Sequence, residues 1–293
     1  MPFKIINKQI LANNVKRLDI LAPNIAKKVQ PGQFVSVCPE EDDERIPLTV
    51  VESDAQRGTI ALIFQEKGQT TNKLASIAIN EFIFSVLGPL GVPAKISNAG
   101  TVVCVATGIG TAQILPIIRA FRKAGSKVIS IIGASSKREL LLEAQIRLNC
   151  QQIIVATDDG SYQRKGMATD LLKETLAKQN VNLVYAIGSI EMMRQISTMT
   201  QEKNIRFLVQ LNPMMVDCMG MCGSCRVKVA GKVVLACTEG PEFDGHEVDF
   251  KDYEIRVNAF KENPQWHNQK SQPNPARNES RIFKRLVSGL LKE

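Results

Sequence analysis

The sequence predicts an antiparallel β-barrel followed by a parallel-sheet α/β domain and a small C-terminal metal-binding module. Three observations carry this. Short β-rich runs broken by turns fill the chain from Ile5 to about Val86, strands alternate with apolar-periodic helices from Thr101 to about Asn212, and four of the seven cysteines crowd into residues 218–237. The changes of pattern place the barrel over 1–97, the α/β domain over 98–212, the metal module over 213–258 and a basic tail over 259–293.

The barrel runs are KIINKQILANNVKRLDILA, GQFVSVCPE, PLTVVESD, GTIALIFQE and EFIFSVLGP. Short strands at this spacing close into a barrel or sandwich. At Thr101 a buried strand (TVVCVAT) runs through a Gly turn into a helix (TAQILPIIRAFRKAG), then a strand (KVISIIGA) and a helix (KRELLLEAQIRLN). QQIIVATDD, MATDLLKETLAKQN, VNLVYAIGS, EMMRQISTMTQEKN and RFLVQLN continue the alternation, the pattern of parallel strands with crossover helices. The module holds a hairpin, CRVKVAGKVVLAC, turning at Ala230-Gly231-Lys232. It is too short to bury a large core, so a metal must stand in for one.

Composition narrows the function classes. Hydrophobic residues make up 44% and charged residues 23%, which excludes wholesale disorder and fibrous folds. No run approaches the length of a membrane span and the N-terminus lacks a secretory signal, so the expected location is the cytoplasm. Clustered cysteines favour a metal site over a disulfide framework. The net charge is +8, but residues 261–293 hold seven Lys/Arg against three Glu. With three Tyr, one Trp and no basic stripe in the body, nucleic acid is not an expected partner. Residues 261–280 read as a disordered linker. Beyond them Ile282, Leu286 and Leu290 share one helical face among basic residues; this fits contact with a membrane surface or partner, although a solubilising tail is the favoured reading.

The strongest chemical signal is VDCMGMCGSCRVKVAGKVVLACTEGPEFDGH. Cys222-x2-Cys225 sits in a Gly-containing loop and Cys237 returns on the far arm of the hairpin. Such a thiolate-rich pocket suits iron-sulfur or zinc. The plant-type C-x4-C-x2-C spacing puts the remaining ligand at Asp217, with Cys218 one residue later. Spacing favours Asp217 and softness favours Cys218, and the two are not expected to ligate together. The zinc alternative is a knuckle of four cysteines, or of three cysteines and Asp217.

Nucleotide signals lie upstream. Gly108-Ile109-Gly110-Thr111 joins a buried strand to a helix, where backbone N–H groups can approach a phosphate. The same pattern fits a plain βα turn. Arg45-Ile46-Pro47-Leu48-Thr49 opens a barrel strand, with Arg45 placed for a flavin diphosphate and Thr49 for the isoalloxazine ring; pairing of Arg45 with Glu44 or Asp43 is the simpler alternative. Gly68-Gln69-Thr70-Thr71 enters another helix and fits either the same diphosphate or an ordinary cap. Asp158-Asp159-Gly160 ends a parallel strand, where open α/β sheets place ligands. Met192 and Met193 read as core filler, and His246 as a structural residue. The only other histidine is His267, so a histidine-based hydrolytic triad is not expected.

In this order the parts resemble the ferredoxin reductase-like electron-transfer subunits, the group that includes the dihydroorotate dehydrogenase electron-transfer subunit and the small subunit of NADH-dependent ferredoxin:NADP oxidoreductase, the nearer of the two. The likeness runs through RIPLTVVE, LGPLGVPAKI, TGIGTAQILPI, TDDGSY, KGMATDLL, AIGSIEMM, QLNPMMVDCMGMCGSC and CTEGPEFDGHEVDF, over about residues 1–258. It implies FAD in the barrel, NAD(P)H on the α/β domain with Asp158, Asp159 and Gly160 lining the nicotinamide pocket, and one [2Fe-2S] cluster. It also implies Asp217, Cys222, Cys225 and Cys237 as ligands. Cys218 stands where the family often has Gly, and Ser135 where relatives commonly have Arg; Lys137 or Arg138 could substitute for that Arg.

The implied function is electron relay with no acid-base residues, to or from a larger flavin/iron-sulfur subunit, ferredoxin being a further candidate partner. Service to dihydroorotate dehydrogenase or another flavoenzyme is the alternative within the same class. A zinc-stabilised nucleotide-binding module without redox activity is the alternative outside it.

Overall fold

The computed structural model describes residues 3–259; the linker and amphipathic segment expected beyond lie outside the described residues. Strands β1 (Phe3–Ala12) and β2 (Val15–Leu21) form a hairpin whose turn puts Asn14 at φ +58°. A short helix α1 (Pro23–Ala26) precedes β3 (Phe34–Cys38), β4 (Ile46–Asp54) and β5 (Thr59–Gln65). Helix α2 (Gln69–Ser76) leads into β6 (Phe82–Ile83) and β7 (Ser85–Leu90). All pairings are antiparallel, in the order β6-β1-β2-β5-β4-β3-β7. The sheet curls into a nearly closed barrel around Leu18, Ile20, Val35, Leu62 and Ile83, inward positions of these strands, with Leu74 of α2 packed among them.

The second sheet begins with β8 (Thr101–Thr107), α3 (Gly110–Lys123) and β9 (Lys127–Ala134). Next come α4 (Glu143–Arg147), β10 (Gln152–Thr157), β11 (Arg164–Lys165), α5 (Ala168–Lys178), β12 (Leu183–Ile187), α6 (Ile190–Gln201) and β13 (Arg206–Gln210). β10-β9-β8-β12-β13 are parallel neighbours, a doubly wound order whose direction reverses between β8 and β12. The helix expected over KRELLLEAQIRLN is shorter than its apolar pattern suggests. A 3-10 turn at Lys137–Glu139 comes first, and Leu142 at φ +54° admits only α4 after it. Left-handed backbone cannot continue a right-handed helix.

The C-terminal module is sewn into this sheet. Its hairpin pairs β14 (Arg226–Val229) with β15 (Lys232–Leu235) across Ala230-Gly231, both at positive φ. β16 (Glu242–Asp244) pairs antiparallel with β13 as the seventh strand, and α7 (Phe250–Asn258) follows. On its other side this strip meets the segment leaving the barrel: Val92 N–H donates to Gly240 O (2.7 Å) and Lys95 N–H to Glu242 Oε1 (3.1 Å). Among the described residues no helix is long and apolar enough to cross a membrane.

Barrel and α/β sheet are one compact unit through Tyr253, not separate bodies. Val15, Val51 and Ile63, on the outside of the barrel, enter the same apolar cluster as Ile114, Leu115 and Ile118 of α3. Each such side chain, at most 6% exposed, contributes about 1.5–3 kcal/mol by leaving water.

Burial raises the Glu242 carboxyl above the usual range, against the N–H of Lys95. The Tyr185 hydroxyl is set against it, and neither that hydroxyl nor Glu242 Oε2 has a formed hydrogen bond. A folded-state carboxyl with a raised pKa binds its proton more tightly than the unfolded chain does, so stability falls as pH rises from the ordinary glutamate value through the folded one. Glu242→Gln is therefore expected to match the parent at low pH and exceed it by about 1 kcal/mol at pH 8, the scale of an unsatisfied buried polar atom. Denaturant unfolding at the two pH values checks this, and a constant difference between them would contradict it.

Candidate functional site

Three groups of residues stand on this frame. At the barrel, Pro47, Leu48 and Thr49 of β4 pair with Ser36, Val35 and Phe34 of β3. Arg45, just before β4, donates from Nη1 to Ser85 Oγ (3.3 Å) on β7, while Asp43 is taken by Lys73 (3.0 Å). Lys73 also reaches Glu40 (2.5 Å), so this α2 side chain ties the helix to the loop that delivers Arg45. The sequence reading missed Lys73 and Ser85. The available signal was an acidic run, Glu40–Glu44, with Arg45 as its one adjacent cation. Thr71 Oγ1 accepts the N–H groups of Lys67 and Gly68 (3.0 Å each), which makes it the cap of α2. Thr70 beside it has no such capping bond, and the first-turn N–H groups of the helix lie next to it.

The second group lies where β8 and β12 end side by side. Gly108 has φ +54°, and nothing lies within 4 Å of where its Cβ would be, so its backbone faces open space. Gly110 differs: a Cβ there would meet Ile187 O at 2.5 Å, so this glycine lets α3 pack on β12. Thr111 is 3% exposed and its N–H closes on Gly108 O (3.1 Å). Gly188, at the end of β12, is as crowded as Gly110, and Ser189 caps α6 by accepting the Met192 N–H (3.2 Å). Met192 and Met193 are buried.

Asp158, Asp159 and Gly160 follow β10. That strand is two positions from the β8–β12 cleft, about 10 Å at ordinary strand spacing. They are zipped to the end of β9: Asp159 N–H donates to Ser135 O (3.2 Å), Lys137 N–H to Ser161 Oγ (2.8 Å), and Asp159 Oδ1 accepts the Ser161 N–H (2.9 Å). Hydrogen bonds from Ser161 hold the Asp159 carboxyl below its usual range. Lys137 lies over the Tyr162 ring, 5.1 Å from its centroid, and Arg138 is exposed.

The third group is the cysteine loop. The β14–β15 hairpin closes with Ala236 N–H on Cys225 O (3.1 Å), which sets Cys225 beside Cys237. Burial, then the neighbouring Cys225, pushes the Cys237 thiol up to about 12. Cys222 is exposed; desolvation raises its thiol, but hydrogen bonds with Ser224 and the Asp217 backbone together outweigh it and hold the thiol below its usual value. Asp217 accepts from the N–H groups of Met219 (2.9 Å), Met221 (2.9 Å) and Cys222 (2.6 Å), which hold its carboxyl low. Cys218, at φ +64°, turns the chain over and is buried against Ser36 of β3, a 0% exposed hydroxyl. Asp217 therefore belongs to the loop of Cys222, whereas Cys218 also meets the barrel. Among the described residues no three Cys, His, Asp or Glu side chains are drawn together as tightly as a lone metal ion requires. The donor set itself, three soft thiols and a carboxylate amid positive-φ glycines, fits a cluster whose bridging sulfides span the gaps. His246 Nε2 lies 3.0 Å from Ile205 O, with its ring edge-on to Phe207 at 5.8 Å.

Residues 212–249 match the iron-sulfur cluster binding domain of dihydroorotate dehydrogenase B. Over 259 residues, 88% of this chain and 92% of the other, the sequence is 35% identical to a dihydroorotate dehydrogenase B (NAD(+)) electron transfer subunit homolog of Thermotoga maritima. It is 32% identical to the electron transfer subunit of Desulforamulus reducens, over 84% of this chain and 96% of that one. A solved structure of NADH-dependent reduced ferredoxin-NADP oxidoreductase superposes with TM-score 0.86 at 33% identity, covering 92% of this chain and 98% of that chain. The chain belongs to the ferredoxin reductase-like electron-transfer subunits. Phthalate dioxygenase reductase, 13% identical with TM-score 0.56, shares the fold with this electron-transfer subunit.

Proposed function

We propose that this electron-transfer subunit relays electrons between NAD(P)H, FAD and a [2Fe-2S] cluster, to or from a larger flavin/iron-sulfur partner. The observation that carries the reading is the position of β3 and β4. Ser36 of β3, the register partner of Pro47 in β4, lies against the cysteine loop at Cys218, while Val51, further along β4, packs on the α3 helix that starts at the strand-to-helix glycine turn. All three binding regions thus converge on one pair of barrel strands.

A flavin bound here would supply the exchange between two-electron hydride chemistry and single-electron transfer, and an iron-sulfur cluster would supply one-electron carriage. Arg45, with Thr70 and the first turn of α2, holds the flavin diphosphate, and Pro47, Leu48 and Thr49 line the ring. Gly108 lets the dinucleotide diphosphate approach the N-terminus of α3, with Gly110 and Thr111 shaping that turn. Asp158, Asp159 and Gly160, beside Ser135 and Lys137, face the adenosine end instead of the nicotinamide. Asp217, Cys222, Cys225 and Cys237 hold the cluster, and Cys218 is a spare thiol that seats the loop on the barrel. The printed names of the sequence relatives support dihydroorotate dehydrogenase as the alternative partner; the structural match supports the ferredoxin:NADP oxidoreductase type, with ferredoxin as a further exchange partner.

The visible spectrum of anaerobically purified protein, before and after NADH, tests the reading. Flavin bands that bleach, cluster charge-transfer absorption and about two irons per chain are expected. A colourless protein with about one zinc would overturn it in favour of a zinc-stabilised nucleotide-binding module.

A further inference from the structure

One ionic contact crosses the seam between the flavin strand and the nucleotide helix, far along both from their ligand ends. Glu52, near the C-terminal end of β4, accepts from Arg119 Nη1 of α3 on Oε1 (2.6 Å) and from Arg17 Nη2 of β2 on Oε2 (2.6 Å). Arg17 turns its Nε to Asp19 (2.9 Å). The four side chains are 17–36% exposed, so solvent screens the contacts only in part. Burial raises the Glu52 carboxyl, but the two guanidiniums outweigh it and hold the group ionised below the usual carboxylate range.

Each carboxylate oxygen is committed to a different cation on a different element, so Glu52 cannot turn without breaking one pair. Beside it, Val51 is 1% exposed in the apolar cluster shared with α3. Apolar packing holds the two halves together but is non-directional, and it tolerates sliding of one surface on another. A charge pair with fixed donor geometry does not. Arg119 is nine residues from Gly110 along α3, about 13.5 Å of helix, and Glu52 is three residues from Thr49, about 10 Å of strand. A slip at the bridge therefore reaches both ligand ends of these stiff elements.

We infer that the Arg17–Glu52–Arg119 bridge is a positioning device that fixes how the nucleotide turn at Gly108 faces the flavin strand at Pro47–Thr49. The inference rests on the relay reading proposed above. Its consequence is a rate effect without a binding effect, because a reactant displaced by about 1 Å loses on the order of a hundredfold while its own contacts persist.

The test uses the full chain with its flavin, as the parent, Arg119→Met and Arg119→Lys. The Met variant leaves Glu52 paired with Arg17, so no charge is stranded. NADH-driven flavin bleaching is expected to slow about tenfold or more in Arg119→Met, with the dissociation constant for NADH within about twofold, and Lys is expected to restore most of the rate. Amide hydrogen exchange of the flavin-free chains provides a readout independent of activity: amides over 50–53 and 117–120 should exchange faster in the Met variant, and those of β9 should not. Parental bleaching in Arg119→Met, a change in NADH affinity alone, or faster exchange throughout the sheet would overturn the inference. If the parent flavin itself fails to bleach, the relay reading falls, and the exchange pattern alone decides for or against the bridge.

Discussion

Cys225→Ser abolishes the cluster absorption and its iron while FAD remains bound at parental stoichiometry. The side chain is 1% exposed and paired with Cys237, so an alcohol there removes a soft ligand from the centre of the site. The flavin contacts proposed at Arg45, Thr49 and Thr70 lie on the turn before β4, β4 and α2, and none is on the element that carries Cys225. NADH should still bleach the flavin, but transfer onward to a one-electron acceptor through the cluster should fall by at least about two orders of magnitude, as the relay loses a centre. Cys218→Ser is the contrasting variant: with Asp217 in the loop and Cys218 against Ser36, the cluster and its iron content persist. Loss of FAD along with the cluster in Cys225→Ser would contradict the division of sites. Loss of the cluster in Cys218→Ser would make Cys218 the fourth ligand. Iron assay and absorption spectra on the same samples decide both.

Gly110→Ala is expected to weaken NADH binding about tenfold or more and to destabilise the chain by about 1–3 kcal/mol. The new Cβ would stand 2.5 Å from Ile187 O, and backbone cannot move aside as a flexible side-chain tip can. Relief comes by lifting the N-terminus of α3 from β12, which also carries Gly108 out of place. Gly108→Ala meets no atom, and its cost is confined to strain at φ +54°. Titration of flavin bleaching with NADH and denaturant unfolding of both variants check the pair; equal effects would show that contact with the ligand, not packing, dictates Gly110.

That contrast shows what was legible in the sequence. Periodicity located the strands and long helices, because alternation and a 3.6-residue repeat report burial directly. The G-x-G motif put both glycines at one strand-to-helix turn, fit for a phosphate or for plain chain reversal, but could not tell that Gly110 answers to a carbonyl 77 residues later. Asp217 and Cys218 posed the same difficulty: spacing named the pair, and only the φ of Cys218 shows which way each one faces. β16 escaped notice because three residues, EFD, carry no period and derive their strand character from β13. The bridge at Glu52 was equally silent, since its partners lie 35 residues upstream and 67 downstream.

β16 has a consequence for how the chain is made. The nucleotide sheet is laid down in order from β8 to β13, yet its edge is not covered until residues 242–244 emerge from synthesis. Until then β13 presents unpaired N–H and C=O groups, a template for pairing with another nascent chain. The strip that covers it also receives the N–H groups of Val92 and Lys95, from the segment that leaves the barrel. β16 thus seals the edge that β13 left open, and a ribosome that stalls before it releases an unfinished, adhesive product.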